Sequence, residues 1–331
     1  MLAAISPRAK LESLRSIGFS AYRLVLRAED EITLPEYKGS TFRGAFGLTF
    51  RKAACILKRE ECSECPVRET CVYSYIFETP VPEGSSKMRK YPYAPHPFVI
   101  EPPEGSRQLY LPGDTFSFGL VLIGRATNYF AYFIYTFRLM GERGIGRGRG
   151  RFTLEEIYSL SPDRSEKLIY DSESNAFSSE LSVMKASDLL LPDAVDNSVN
   201  ISFLTPTRIK SKGELSADLT FDLLVRSLLR RLSLLSYFHC GVELDLDYRE
   251  LIGRAGAVSV VESDLRWYDW ERYSHRQGGR MKLGGFVGDI SFEGEIKEFM
   301  PILTLGEWLH VGKGTSFGLG KYRVLEVQSS G

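Results

Sequence analysis

Apolar positions along this chain follow two rhythms, one of strands and one of helices, and the pair comes round twice. Phe19 to Asp30 (FSAYRLVLRAED) alternates with the two-residue period of a strand. A helical stripe follows, with Phe42, Ala45, Phe46, Thr49, Phe50, Ala53 and Ile56 on one side. Thr115 to Gly124 reads as a middle strand, and Asn128 to Gly141 as a second apolar helix. After Arg151 the alternation resumes (RFTLEEIYSL). The second half repeats this order. Asn197 to Pro206 predicts a strand, and a long helix is expected from about Leu219 to Phe238. Phe221, Leu224, Leu228, Leu232 and Leu235 form its buried stripe, with Arg226, Arg230 and Arg231 elsewhere around it. Asp218 is its expected N-cap and Gly241 its terminator. Arg254 to Trp270 and Phe286 to Gly294 read as strands, Lys297 to Gly312 as a helix, and Lys321 onward as a last strand.

The two half-ends match more closely than their periodicity requires. At an offset of 170 residues, LMGERGIGRGRGRF (Leu139 to Phe152) lies on LHVGKGTSFGLGKY (Leu309 to Tyr322) without a gap. Arg143 meets Lys313, and Gly144, Gly148 and Gly150 meet Gly314, Gly318 and Gly320. Arg151 then meets Lys321, and Phe152 meets Tyr322. In this register His310 falls on Met140. Each half therefore reads β-α-β-β-α-β, closing in helix, Gly-rich loop and strand. The expected fold class is α+β, with tandem ferredoxin-like (RRM-like) domains. The expected boundaries are 1–163 and 164–331, with an insertion over about 55–105 in the first domain.

Charge restricts the chemistry. The 331 residues carry 42 Lys+Arg and 42 Asp+Glu, so affinity for a polyanion has to come from local clusters. Arg143, Arg147, Arg149 and Arg151 crowd the first Gly-rich loop, and Lys313 and Lys321 flank the second. Closely spaced glycines let a backbone approach a phosphate, so Gly314, Gly318 and Gly320 join these cations as expected RNA contacts. Neither loop has the spacing of a Walker loop, and each follows a helix rather than a strand. Packing the two halves together is the competing role for both. Arg266 to Lys282 (RWYDWERYSHRQGGRMK) interleaves Trp267, Tyr268, Trp270 and Tyr273 with Arg272, Arg276, Arg280 and Lys282. Aromatic faces stack unpaired bases while guanidinium groups hold phosphates, though a half-buried hairpin accounts for some of those rings.

Four of the five cysteines fall in Cys55-x6-Cys62-x2-Cys65-x5-Cys71, a set able to enclose one structural Zn²⁺ or an iron–sulfur cluster. Free or redox-paired thiols are the competing reading. The amino terminus has no signal-peptide pattern and no apolar run spans a bilayer, so a cytoplasmic protein without a membrane partner is expected. Histidine occurs at 96, 239, 275 and 310.

FRGAFG (Phe42 to Gly47), CSECPVRETC (Cys62 to Cys71), PFVIEPP (Pro97 to Pro103) and above all LGEWLHVGKGTSFGLGKY (Leu305 to Tyr322) together resemble the CRISPR-associated precursor-RNA-processing endoribonuclease family of the RAMP superfamily, in its cysteine-cluster branch. The resemblance implies binding of CRISPR repeat RNA in the precursor transcript. It also implies metal-independent cleavage by the substrate's own 2′-OH, leaving a 2′,3′-cyclic phosphate. On that chemistry His310 is the expected acid or base, Lys313 the stabilising cation, and His239 the second choice of imidazole. No cofactor is expected for cleavage. Related RAMP proteins bind the same RNA without cutting it, so a scaffold subunit of a CRISPR effector complex is the alternative. A metal–thiolate protein unconnected with RNA is a third reading.

Overall fold

The structure, a computed structural model, describes residues 12–58, 61–174, 176–178, 181–189, 197–211, 213–274, 279–282 and 284–325. The chain divides into two compact units, one of Gly18–Met184 with Phe238–Gly241, the other of Lys185–Tyr237 and Val242–Gly331 with the residues before Gly18.

The N-terminal unit is built on β1 (Gly18–Ala28), α1 (Gly39–Ala54), β2 (Phe98–Glu101), β3 (Thr115–Ile123), α2 (Phe130–Arg143) and β4 (Phe152–Leu160). β5 (Glu166–Asp171) and β6 (Ala176–Phe177) extend the sheet, whose order is β2-β3-β1-β4-β5-β6. The pairs β2–β3, β3–β1 and β1–β4 are all antiparallel, the ferredoxin-like pattern. The polar stretch 161–167 turns the chain into β5 instead of closing the domain at residue 163. The ladder from Glu156↔Asp171 to Leu160↔Glu166 continues the sheet beyond it.

Phenylalanines spaced one helical turn apart explain why α1 and α2 lie on this sheet. Phe42, Phe46 and Phe50 are fully buried along α1. Phe46 stacks on Phe133 of α2 at 5.0 Å and tilts against Phe98 of β2 at 5.6 Å. Such pairs add about 0.5–1.5 kcal/mol each beyond the area they bury. The helix stops at Ala54, where Cys55 turns extended (φ −82°, ψ 103°), so Ile56 leaves the expected stripe and is 90% exposed. The four-residue segment Phe238–Gly241 packs here as well. His239, 1% exposed, sets its Nε2 2.7 Å from the Pro95 carbonyl, and a Cβ on Gly124 would lie 2.2 Å from the His239 carbonyl oxygen.

The C-terminal unit repeats the plan with β7 (Ser198–Thr207), α3 (Phe221–Leu235), α4 (Tyr248–Ala255), β8 (Ser259–Ser263), β9 (Arg266–Tyr268), β10 (Gly285–Glu293), α5 (Met300–Leu309) and β11 (Tyr322–Leu325). Its sheet order is β8-β10-β7-β11, with β9 also on β10. The expected long helix forms over Phe221–Leu235 and continues as a widened turn to Cys240, with Gly241 at φ 72° just beyond it as expected. Thr220, not Asp218, is the N-cap. Its stripe from Phe221 to Leu235 is buried as expected, and Phe221 meets Phe292 at 5.1 Å and Phe299 at 5.3 Å. Arg231, off the apolar stripe, is nonetheless 93% buried. Among the described residues no helix is long and apolar enough to cross a membrane.

Candidate nucleic-acid interface

Each Gly-rich loop starts where its helix ends, at a residue forced into positive φ. In the N-terminal unit that residue is Gly144 (φ 72°, ψ 159°); in the C-terminal unit it is His310 (φ 62°, ψ 168°). The next residue donates across the loop: Ile145 N–H to the Gly150 carbonyl at 2.9 Å, Val311 N–H to the Gly320 carbonyl at 3.0 Å. A glycine in positive φ then presses on the segment after the first strand of its own unit, Gly146 on Thr33 and Gly312 on Arg208. The cation that follows donates its backbone N–H to the same carbonyl, Arg147 to Thr33 at 2.9 Å and Lys313 to Arg208 at 3.0 Å. On the far side, Arg151 N–H meets Asp30 Oδ2 at 3.1 Å, and Lys321 N–H meets Thr205 Oγ1 at 2.9 Å.

These pairs correct the gapless register. Gly150 with Gly320 and Phe152 with Tyr322 keep the offset of 170 on the strand side. On the helix side Gly144 answers His310 and Arg147 answers Lys313, an offset of 166. The second loop is therefore four residues longer, ten (311–320) against six (145–150). The extra length holds a short turn, Thr315–Phe317, between Gly314 and Gly318, both in positive φ. His310 thus occupies the place of a glycine, not of Met140.

The two loops differ in exposure. Arg143, Arg147, Arg149 and Arg151 all stand exposed. Arg151 holds Asp30 at 2.7 Å, and its hydrogen bonds keep that carboxyl below the ordinary carboxylate range. Arg143, Arg147 and Arg149 make no ion pair among the described residues. In the second loop only Lys313 is exposed; Gly318 and Gly320 are buried, Gly314 partly so, and Lys321 is 9% exposed.

The expected catalytic histidines lie inside the protein. His310 has no exposed surface, and its Nδ1 sits 3.0 Å from the Leu319 carbonyl. Beside it Arg231, off the apolar stripe of α3, donates Nε–H to the Leu309 carbonyl at 2.7 Å. That bond satisfies a carbonyl at the end of α5, and burial lowers the guanidinium pKa to about 9. His239 is held as described above. Both imidazoles have the setting of structural groups, each on a backbone carbonyl. The Arg266–Lys282 segment divides: Trp267 is 41% exposed, while Trp270 is buried. Arg272, Arg280 and Lys282 lie on a two-stranded ribbon, Glu271–Ser274 with Gly279–Lys282, whose backbone register pairs Arg272 with Met281, Tyr273 with Arg280 and Glu271 with Lys282. Arg276 and His275 lie outside the described residues.

Cys55, Cys62, Cys65 and Cys71 are all free thiols in the stretch after α1. The Cys62–Cys65 step is a tight turn, with Cys65 N–H on the Cys62 carbonyl at 3.3 Å and Arg68 N–H on the Cys65 carbonyl at 3.0 Å. Burial raises the Cys62 pKa, with smaller contributions from Glu78, Cys55 and Cys71. Four soft donors suit Zn²⁺ or iron by chemistry. Among the described residues, however, no three His, Cys, Asp or Glu side chains converge on one point that could hold a metal.

Comparison with known proteins adds to this geometry. Residues 201–322 match the family described as CRISPR-associated endoribonuclease Cas6, and residues 15–182 match the AF_1859_N family of N-terminal domains. An uncharacterized protein of Archaeoglobus fulgidus is 26% identical over 297 residues, covering 88% of this chain and 92% of its own. Among solved structures, Thermus thermophilus Cas6 (TTHB231) superposes with a TM-score of 0.53 at 17% identity, over 93% of this chain and 99% of that one. A product complex of the same Cas6 gives 0.55 at 16% identity, over 93% and 100%. A chain of a Cas6-RT-Cas1–Cas2 complex gives 0.54 at 14% identity, over 95% of this chain and 47% of that one. At these identities the structures speak for the fold, while the family match speaks for descent. Residues 15–182 thus match the AF_1859_N family of N-terminal domains, and residues 201–322, in a unit folded on the same plan, carry a domain of the family described as CRISPR-associated endoribonuclease Cas6.

Proposed function

We propose that this protein binds CRISPR repeat RNA and cleaves the precursor transcript in the cytoplasm. The substrate's 2′-OH attacks the adjacent phosphate, no metal is needed, and a 2′,3′-cyclic phosphate is left. The observation that carries the reading is the first Gly-rich loop. Three exposed arginines stand on a backbone pinned at both ends, so a phosphate chain meets three cations carried on an already ordered loop. Lys313, at the equivalent place in the second loop, adds an exposed ammonium. The ribbon carrying Arg272, Arg280 and Lys282 is a further strand-binding element on this reading. The product complex of a Cas6 relative and the Cas6-RT-Cas1–Cas2 assembly suggest RNA and other CRISPR proteins as partners.

The experiment is cleavage of labelled repeat RNA in excess EDTA. Cutting is expected to persist with the chelator and to vanish when the scissile nucleotide is 2′-deoxy. Binding without cutting would instead favour a non-cleaving RAMP subunit of an effector complex. The burial of His239 and His310 supports that second reading, because neither imidazole reaches solvent. The cysteine set is proposed separately as a structural Zn²⁺ or iron–sulfur site that closes when its thiolates converge. Metal analysis of the purified protein, with Cys62→Ser/Cys65→Ser as comparison, tests that proposal without reference to cleavage.

A further inference from the structure

Of the described histidines, His96 alone keeps part of its surface exposed. It lies just before β2, and its ring faces two side chains. Nδ1 lies 2.5 Å from Thr79 Oγ1, and Nε2 lies 3.3 Å from Nη2 of Arg43 on α1. A guanidinium N–H can only donate, so Nε2 is the acceptor and the neutral ring carries its proton on Nδ1, given to Thr79. At 3.3 Å the arginine contact is long and readily exchanged for a phosphate oxygen.

The surroundings fix all three groups. The Arg43 guanidinium lies over the Phe77 ring at 4.0 Å, and His96 stacks near Phe77 (6.2 Å) and Phe98 (5.7 Å). Phe77 reaches this place because α1 has a glycine opposite it: a Cβ on Gly47 would lie 2.0 Å from the Phe77 ring. Thr79 is buried in the left-handed region (φ 49°, ψ 54°), tied by its N–H to Ser74 at 2.7 Å and by its carbonyl to Ala94 N–H at 2.8 Å. Strain in a non-glycine residue that points its hydroxyl at an imidazole is the kind of cost found at functional sites.

We propose that Arg43, Thr79 and His96 form the centre that cleaves the RNA phosphodiester, an inference that rests on the RNA-cutting reading above. Arg43 takes two oxygens of the scissile phosphate in its planar fork. His96 Nε2 accepts the proton of the attacking 2′-OH, and Thr79 orients the ring. The 2′-oxygen forms a bond to phosphorus as the bond to O5′ breaks. O5′ is protonated from solvent and His96 returns its proton to water, so nothing else is consumed.

The test is single-turnover cleavage of repeat RNA by the full chain, with RNA affinity measured in parallel. His96→Ala is expected to slow cutting by about 100-fold or more while affinity changes by less than about 3-fold, the usual range for loss of a general base. Added imidazole is expected to restore part of that rate. Thr79→Val is expected to slow the chemical step by roughly 10-fold, again without loss of affinity and without imidazole rescue, as fits a positioning residue. Should His96→Ala melt early, His96→Gln, which keeps a polar chain there, carries the comparison. A wild-type protein that cuts beside a His96 variant that cuts equally fast would overturn this inference alone. A wild-type protein that binds repeat RNA and never cuts it would overturn the underlying reading, and this centre with it.

Discussion

The two Gly-rich loops share a backbone plan and differ in what they do with it. Both pin a glycine and a cation's N–H on one carbonyl and close on one side-chain oxygen. The N-terminal loop spends its six residues on turning and sends its arginines outward. The C-terminal loop adds four residues and folds them inward, so that Leu319 is 1% exposed and Gly320 is buried. Its anchors differ as well: Arg151 closes on a carboxylate, Lys321 on the neutral Thr205 hydroxyl. A motif recognised by its glycines therefore describes a way of turning, while the residues between them decide whether the turn meets a ligand or the core.

The sharpest way to break this contrast is at single glycines. Gly320 has φ 76°, and a Cβ there would lie 1.8 Å from the Val311 carbonyl oxygen. Left-handed strain plus overpacking predicts that Gly320→Ala costs about 3–5 kcal/mol in chemical denaturation. Gly148 has φ 85° with no atom within 4 Å, so Gly148→Ala is expected to cost only about 1–2 kcal/mol. Equal costs would erase the distinction between a buried loop and an exposed one. RNA binding gives the next largest effect. Arg143→Ala/Arg147→Ala/Arg149→Ala is expected to weaken repeat RNA by about 30–100-fold and to flatten the salt dependence by roughly two phosphate contacts. Lys313→Ala is expected to weaken it only a few-fold, about one contact; a loss matching the triple variant would move the main RNA contact to the second loop.

Smaller effects refine the comparison. Because His310 stands where the first unit has Gly144, His310→Gly is expected to be less destabilising than His310→Ala by about 1–2 kcal/mol, against the usual ranking. Cleavage by His310→Gly is expected to match wild type, and a large loss would return that imidazole to the chemistry. Last is acid sensitivity. The folded pKa of Asp30 is lowered by Arg151, so the pair's contribution is complete above the ordinary carboxylate value and is lost as pH falls through the lowered one. Thr205 does not titrate. Hydrogen-exchange protection of the Arg151 amide is thus expected to fall in acid before that of Lys321, and parallel loss would contradict the assigned anchors.

The sequence carried the fold plainly because ferredoxin-like units write their strands and helices as separable rhythms, and the phenylalanines of α1 and leucines of α3 obey them. The site was less legible. The gapless alignment paired Gly144 with Gly314 because this loop has glycines to spare, so a four-residue insertion left no visible gap. Burial of His310 and Arg231 was hidden for another reason. Both side chains satisfy the end of one helix and the loop after it, a role set by where carbonyls are left over and not by any periodicity. The meeting of Arg43 with His96 depends on Gly47 making room for Phe77, a packing fact between residues far apart in the chain.

Phe238–Gly241 belongs to the N-terminal unit although it is encoded after α3 of the other unit. During synthesis, that unit cannot gain its last stitch, His239 on Pro95, until well over half of the polypeptide has left the ribosome. A gene cut at residue 184 would encode a product lacking this piece, so a short peptide spanning 236–242 supplied in trans is the natural complement for anyone dissecting the protein into halves.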